Sequence, residues 1–211
     1  MASEVRKLNS IKVISSAQKE STAADKMDFY DKWAENYDTD VAILEFRAPG
    51  LAADSVAASF TGDRGAALVL DVACGTGLAA IQMKKHGFEH FVGVDGSKGM
   101  LELAKNTGLY EDVRHCMLGD DELPVQWVRV TKELCKATKP GGLVCITTRN
   151  GQNNAEYTAS LEQQLKLMEE EGLWSCVNVT EVKKFQRAVS EHEEAYLSGS
   201  VCLFRVSDVD Q

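Results

Sequence analysis

The chain has 211 residues, 44% hydrophobic and 26% charged, which suits one globular domain with its own core. Its formal net charge of −9 disfavours a nucleic-acid backbone as partner. No apolar run is long enough to cross a membrane and the start lacks a signal-peptide core, so a cytoplasmic or nuclear monomer is expected.

Residues 1–25, rich in Ser, Ala, Lys and Glu, are expected to form a flexible tail ahead of a single domain over 26–211. In "MDFYDKWAENYDTDVAILEF" the residues Phe29, Trp33, Tyr37, Val41 and Leu44 recur at helical spacing. "APGLAADSVAASF" predicts a second helix, and the two make a helical unit over 26–60.

A strand–helix alternation follows. Strands are predicted at Leu68–Val72, Phe91–Asp95, Val113–Leu118 and Leu143–Thr148, with helices at Gly77–His86, Gly99–Thr107 and Val130–Ala137. A long helix, Glu156–Glu171, precedes two late strands, Trp174–Val179 and Ser200–Val206. Such alternation implies right-handed crossovers and a doubly wound, mainly parallel, Rossmann-like α/β sheet, with a core over 66–150 and a C-terminal part over 151–211.

The six cysteines form no C-x-x-C pair, and most lie in apolar runs, so free thiols in a reducing compartment are expected. His86 and His90 have the spacing of a helical metal pair, but Gly87 separates them and no third ligand is evident. No metal is expected.

The chemistry concentrates in "LVLDVACGTGLAA". Gly75, Gly77 and Ala80 satisfy a glycine-loop pattern between a strand and a helix, where nucleotide ligands approach the backbone. That pattern alone admits a nicotinamide oxidoreductase. The charges separate the rivals. Asp71, Asp95 and Asp120 end three successive strands, and the loop contains no Lys or Arg. Carboxylates there would repel a pyrophosphate and favour a cationic ligand, and Asp95 suits the two hydroxyls of a ribose.

"LDVACGTG", "VGVDGS…ML", "GDDELP" and "KPGGLVCIT" in this order resemble the motifs of class I S-adenosylmethionine-dependent methyltransferases, over roughly residues 28–150. The leading "FYDKWAENYDTDV…EFRAPGLA" resembles a narrower group, the methyltransferase-like proteins of the Williams–Beuren syndrome region. The resemblance implies that Asp71, Gly75 and Gly77 frame the methionine part of the cofactor and that Asp95 takes the ribose. Gly96, Ser97 and Met100 would flank the adenine with Asp120 at its edge, Ala73 and Gly119 completing the cofactor set. The aromatic helix would be a lid bringing Trp33 and Tyr37 to the cofactor, and Arg47 would be the nearby cation for its carboxylate. No catalytic residue is assigned, because a sulfonium brings its own reactive methyl group and the protein chiefly positions the acceptor. Glu191, His192, Glu193 and Glu194 make an acid–base cluster on paper, in a stretch that reads as a solvated loop.

One departure stands out. Between Pro124 and Lys139 only "VQWVRVTKELCKAT" is present, too short for a fourth strand, its loop and a helix. The fourth strand is expected to be missing or shortened. Three functions stay open: a methyltransferase acting on a small-molecule or protein acceptor, a cofactor-binding but inactive relative, and the oxidoreductase.

Overall fold

A computed structural model describes residues 22–117, 131–150, 155–188 and 196–208. Helix α1 (Ala23–Ile43) opens on a capping box: Thr22 Oγ1 accepts from the Asp25 backbone N–H, and the Asp25 carboxylate accepts from the Thr22 N–H. This T-x-x-D signal starts the helix inside the stretch expected to be tail, of which 1–21 lie outside the described residues. Trp33, Val41 and Leu44 bury one face of α1, with Phe29, Tyr30, Tyr37 and Phe46 against them.

Helix α2 (Ala48–Ser59) carries Pro49 in its first turn and buries Ala48, Ala53 and Ala57. These small side chains let α2 lie close to helix α3 (Leu78–Lys85) and to the strands beneath. Arg64 ties the ends of both helices together, donating to the carbonyls of Ala57 at 2.6 Å and His86 at 3.0 Å.

Strands β1 (Leu68–Val72), β2 (His90–Asp95) and β3 (Tyr110–His115) form a parallel sheet in that order, with Asp71 opposite Gly93 and Asp95 opposite His115. Helix α4 (Lys98–Asn106) crosses between β2 and β3 and buries Met100, Leu101 and Ala104. This is the expected Rossmann-like half. β3 lies three residues ahead of the expected Val113–Leu118. As an outer strand it takes the polar, exposed "YEDVRH", while the apolar residues that follow misdirect a hydrophobicity reading.

The second half is antiparallel. Helix α5 (131–137) leads to β4 (Leu143–Arg149) and helix α6 (Ala155–Glu170) to β5 (Trp174–Arg187). Strand β6 (Tyr196–Val206) lies between β4 and β5 and antiparallel to both. Cys135, Leu161, Leu165 and Met168 pack there on Val144, Trp174, Phe204 and Val206. Strands β5 and β6 run well past the expected Val179 and Ser200 limits, with register irregularities along β5 that sequence alone does not announce. The cluster Glu191–Glu194 lies outside the described residues.

Two three-stranded sheets result, and among the described residues no strand joins β1 to β4. Among the described residues β1 and β4 do not pair with each other. Leu68 and Leu70 of β1 are 61% and 42% exposed, high values for leucines in what should be a central strand. The segment that would hold a fourth strand falls mostly within 118–130, outside the described residues. Helix α2 holds the halves together, packing on α3 on one side and on β4 and β6 on the other.

Candidate cofactor site

The carboxyl ends of β1 and β2 carry two loops, and one side chain organises both. Asp95, at the end of β2, accepts from the Gly75 backbone N–H through Oδ2 and from the Ser97 N–H through Oδ1, each at 2.8 Å. Each oxygen therefore keeps lone-pair capacity for a further donor. The glycine loop it holds is a left-handed turn: Ala73 at φ 58°, Gly75 at 55° and Gly77 at 97°. A Cβ added at Gly75 would meet nothing within 4 Å, so open space lies over the middle of the loop. At Gly77 an added Cβ would come within 3.1 Å of the Tyr110 ring.

Asp71 sits behind this loop, where Tyr110 donates its hydroxyl to Oδ2 at 2.7 Å. Burial pushes the Asp71 carboxyl up to about 6, against the lowering effect of the Tyr110 hydrogen bond. Its folded-state value exceeds the usual 3.8, so the folded chain holds the proton more tightly than the unfolded chain. The stability this gives is full below about pH 4, falls as pH rises to about 6, and is absent above. Two units correspond to roughly 3 kcal/mol. Asp71→Asn, which keeps an acceptor for Tyr110, is therefore expected to raise the melting temperature at pH 7 and to bring no gain at pH 4. Equal melts of variant and parent at pH 7 would show that the carboxylate carries no burial penalty.

The second loop opens α4. Ser97 is fully buried at the N-cap, where its Oγ accepts from Met100 N–H. His115 Nε2 lies 2.8 Å from the Gly96 carbonyl oxygen. Helix α1 roofs both loops. Asp31 Oδ1 accepts from Ser97 Oγ at 2.5 Å and from Gly99 N–H at 2.9 Å, and Thr76 Oγ1 donates to Asp38 at 2.6 Å. Burial raises the hydroxyl of Tyr30, and the Asp95 charge raises it further while Arg149, at the end of β4, counteracts. Tyr37 is raised by burial, with Tyr30, Asp38 and Asp95 adding to it. Both rings pack against Trp33.

The structure sorts the residues expected from sequence. Asp95, Gly75, Gly77, Gly96, Ser97 and Ala73 come together at the two loops, and Tyr37 packs beside Trp33 on α1. Trp33 does not join them: it is 6% exposed and its Nε1–H donates to Asp40 within α1, so it is a core residue of that helix. Met100 is likewise buried, at 2%. Arg47 donates to the Lys184 carbonyl at 3.1 Å, and its backbone N–H to Phe185, which fastens the α1–α2 link to β5. It also lines a cavity of about 390 Å³ with Asp38, Phe46, Asp54, Leu78 and Gln82. Gly119 and Asp120 lie outside the described residues. Tyr30, Asp31, Asp38 and Tyr110 were not singled out from sequence; the repeated Tyr-Asp pair in "YDKWAENYD" was the available signal. No group of metal-ligating residues forms among the described residues, and all six cysteines are free.

A family profile described as a methyltransferase domain matches residues 69–142, the stretch that holds both loops. The chain is 45% identical over 168 residues to Methyltransferase-like protein 27 of Homo sapiens, covering 72% of this chain and 69% of that protein. Because 72% of 211 residues is about 152, about sixteen of those aligned positions have no counterpart in this chain. It is also 33% identical over 96 residues to a malonyl-[acyl-carrier protein] O-methyltransferase of Buchnera aphidicola subsp. Baizongia pistaciae, 38% of each chain. Among solved structures the DhpI–SAH complex superposes with a TM-score of 0.57 at 19% identity, over 89% of this chain and 98% of that one. With the parallel sheet, the glycine loop and the acid at the end of β2 in place, the chain belongs to the class I S-adenosylmethionine-dependent methyltransferases.

Proposed function

We propose that this chain binds S-adenosylmethionine between the two loops and α1, and passes its methyl group to a small-molecule or protein acceptor. The observation that carries the reading is Asp95: a carboxylate at a strand end whose oxygens are oriented by Gly75 and Ser97 and can still accept. The residues fit the donor. Open space lies over Gly75, the glycine loop has no basic side chain, and Asp71 and Asp95 give the cleft the sign that suits an ammonium and a sulfonium.

S-adenosylmethionine, when bound, supplies an electrophilic methyl group on sulfur. Asp95 would hold the ribose hydroxyls, and the backbone of 73–77 would bracket the methionine part with Asp71 behind it. Gly96 and Ser97 would lie along the adenine, with Met100 beneath them and Gly119 and Asp120 at its edge. Tyr30 and Tyr37 would exclude water from above. Trp33 would support those rings from the core, and Arg47 would anchor the helical link. No nucleophilic side chain is needed.

Within the family, the N-terminal "FYDKWAENYD" and the 45% identical human relative support a place in the Williams–Beuren methyltransferase-like group. Free thiols suit a reducing cytoplasm or nucleus, and the −9 charge suits a monomer without a nucleic-acid partner.

Calorimetric titration with S-adenosylhomocysteine and, separately, with NAD tests the reading. Saturable heat with the former and none with the latter is expected. The reverse pattern would overturn the reading in favour of the oxidoreductase.

A further inference from the structure

Helix α1 carries the dipeptide Tyr-Asp twice, at 30–31 and 37–38, seven residues apart and so two turns along one face. The two aspartates reach different loops. Asp38 accepts from Thr76, which lies between Gly75 and Gly77 of the glycine loop. Asp31 accepts from both Ser97 and Gly99, at the start of α4, directly after the acid that ends β2. Between these points Tyr30 and Tyr37 pack on either side of Trp33. The contact is close along the whole span: a Cβ added at Gly96 would come within 2.5 Å of Met27 Sδ, and one at Gly99 within 2.9 Å of the Asp31 carbonyl oxygen.

The far end of α1 is fixed. Glu45, at φ 51°, accepts from the Arg187 guanidinium and from the Tyr196 hydroxyl, while Arg187 N–H donates to the Leu44 carbonyl. A helix pinned at its C-terminal link and fastened at two points along its length can lift only by breaking the fastenings.

We propose that Asp31 and Asp38 are positioning residues that clamp α1 across both ends of the donor site, coupling the two loops and setting the rate of donor exchange. The inference rests on the donor occupying that cleft. Each carboxylate acts through the loop it holds: Asp38 through Thr76 at the methionine end, Asp31 through Ser97 at the adenosine end. A clamp of this kind slows release more than it alters encounter, so its loss shows in the dissociation rate.

The test uses the full chain with Asp31→Ala, Asp38→Ala and the double substitution, alanine being the best helix former, so the helix itself is not weakened. The double variant is expected to release S-adenosylhomocysteine about tenfold faster in stopped flow, and each single variant a few-fold faster. Backbone amides of Ala23–Ile43 should lose hydrogen-exchange protection while those of Leu68–Val72 keep theirs. Gly99→Ala, which pushes the Asp31 backbone from the other side, should give the same pattern, and it decides the matter if the double variant does not fold. Unchanged release and unchanged protection in variants that bind would overturn the clamp. Failure of the unaltered chain to bind S-adenosylhomocysteine would overturn the cofactor reading instead.

Discussion

Asp95→Ala is expected to remove most donor binding, weakening the affinity for S-adenosylhomocysteine at least about a hundredfold. Two ribose hydroxyls would lose a charged acceptor, each worth about 1.5–3 kcal/mol, and 3 kcal/mol is already more than a hundredfold in Kd. The same substitution frees the N–H groups of Gly75 and Ser97, so the loops lose the side chain that sets their separation. Asp95→Asn separates the two roles. It keeps one oxygen for a backbone donor but turns an amino group toward the other, so weaker binding with a smaller fall in melting temperature is expected. Calorimetry and thermal melts on the three proteins measure both. Affinity within a few-fold of the unaltered chain in Asp95→Ala would remove Asp95 from the site.

A second large effect is expected from lengthening the chain between Pro124 and Lys139 to a full strand, loop and helix. That stretch is too short for a strand, its loop and a helix, and β1 and β4 are unjoined among the described residues. Completing the burial of Leu68 and Leu70 is worth on the order of 1–2 kcal/mol each, and every ladder hydrogen bond formed about 1 kcal/mol more. Against a total stability of about 5–15 kcal/mol, a net gain of about 4 kcal/mol should raise the melting temperature by roughly 10 °C. Tighter S-adenosylhomocysteine binding should accompany it, because a wall is added beside the glycine loop. Equal melts and equal affinities for the two chains would mean that "VQWV" already supplies a working strand.

Sequence disclosed those elements in which burial and periodicity agree. Strands β1 and β2 and helices α2 to α4 fall within one or two residues of their expected limits, because each is a short apolar run set between glycine, proline or capping signals, although β1 leaves Leu68 and Leu70 exposed. It misplaced β3 and cut β5 short, where outer strands carry polar residues on exposed faces and hydrophobicity has little to report. Within the site, glycines and the strand-end acid were legible because backbone geometry and charge demand them at fixed places. Asp31 and Asp38 were not: a helical aspartate in an acidic chain looks solvated until its partners from distant loops are known. Trp33 was singled out on a different ground, its place in an aromatic stripe. Aromatic spacing identifies the face of α1 that is buried, and Phe29, Tyr30 and Tyr37 all pack on it with Trp33, whose Nε1–H is taken by Asp40.

A crystal structure of the chain with S-adenosylhomocysteine measures the central claim most directly. Both ribose hydroxyls are expected within hydrogen-bond distance of the Asp95 carboxylate, the amino-acid end over Gly75–Gly77, and Tyr30 and Tyr37 closed above. Ligand seated instead in the cavity between Asp38, Asp54 and Gln82, with Asp95 untouched, would contradict it.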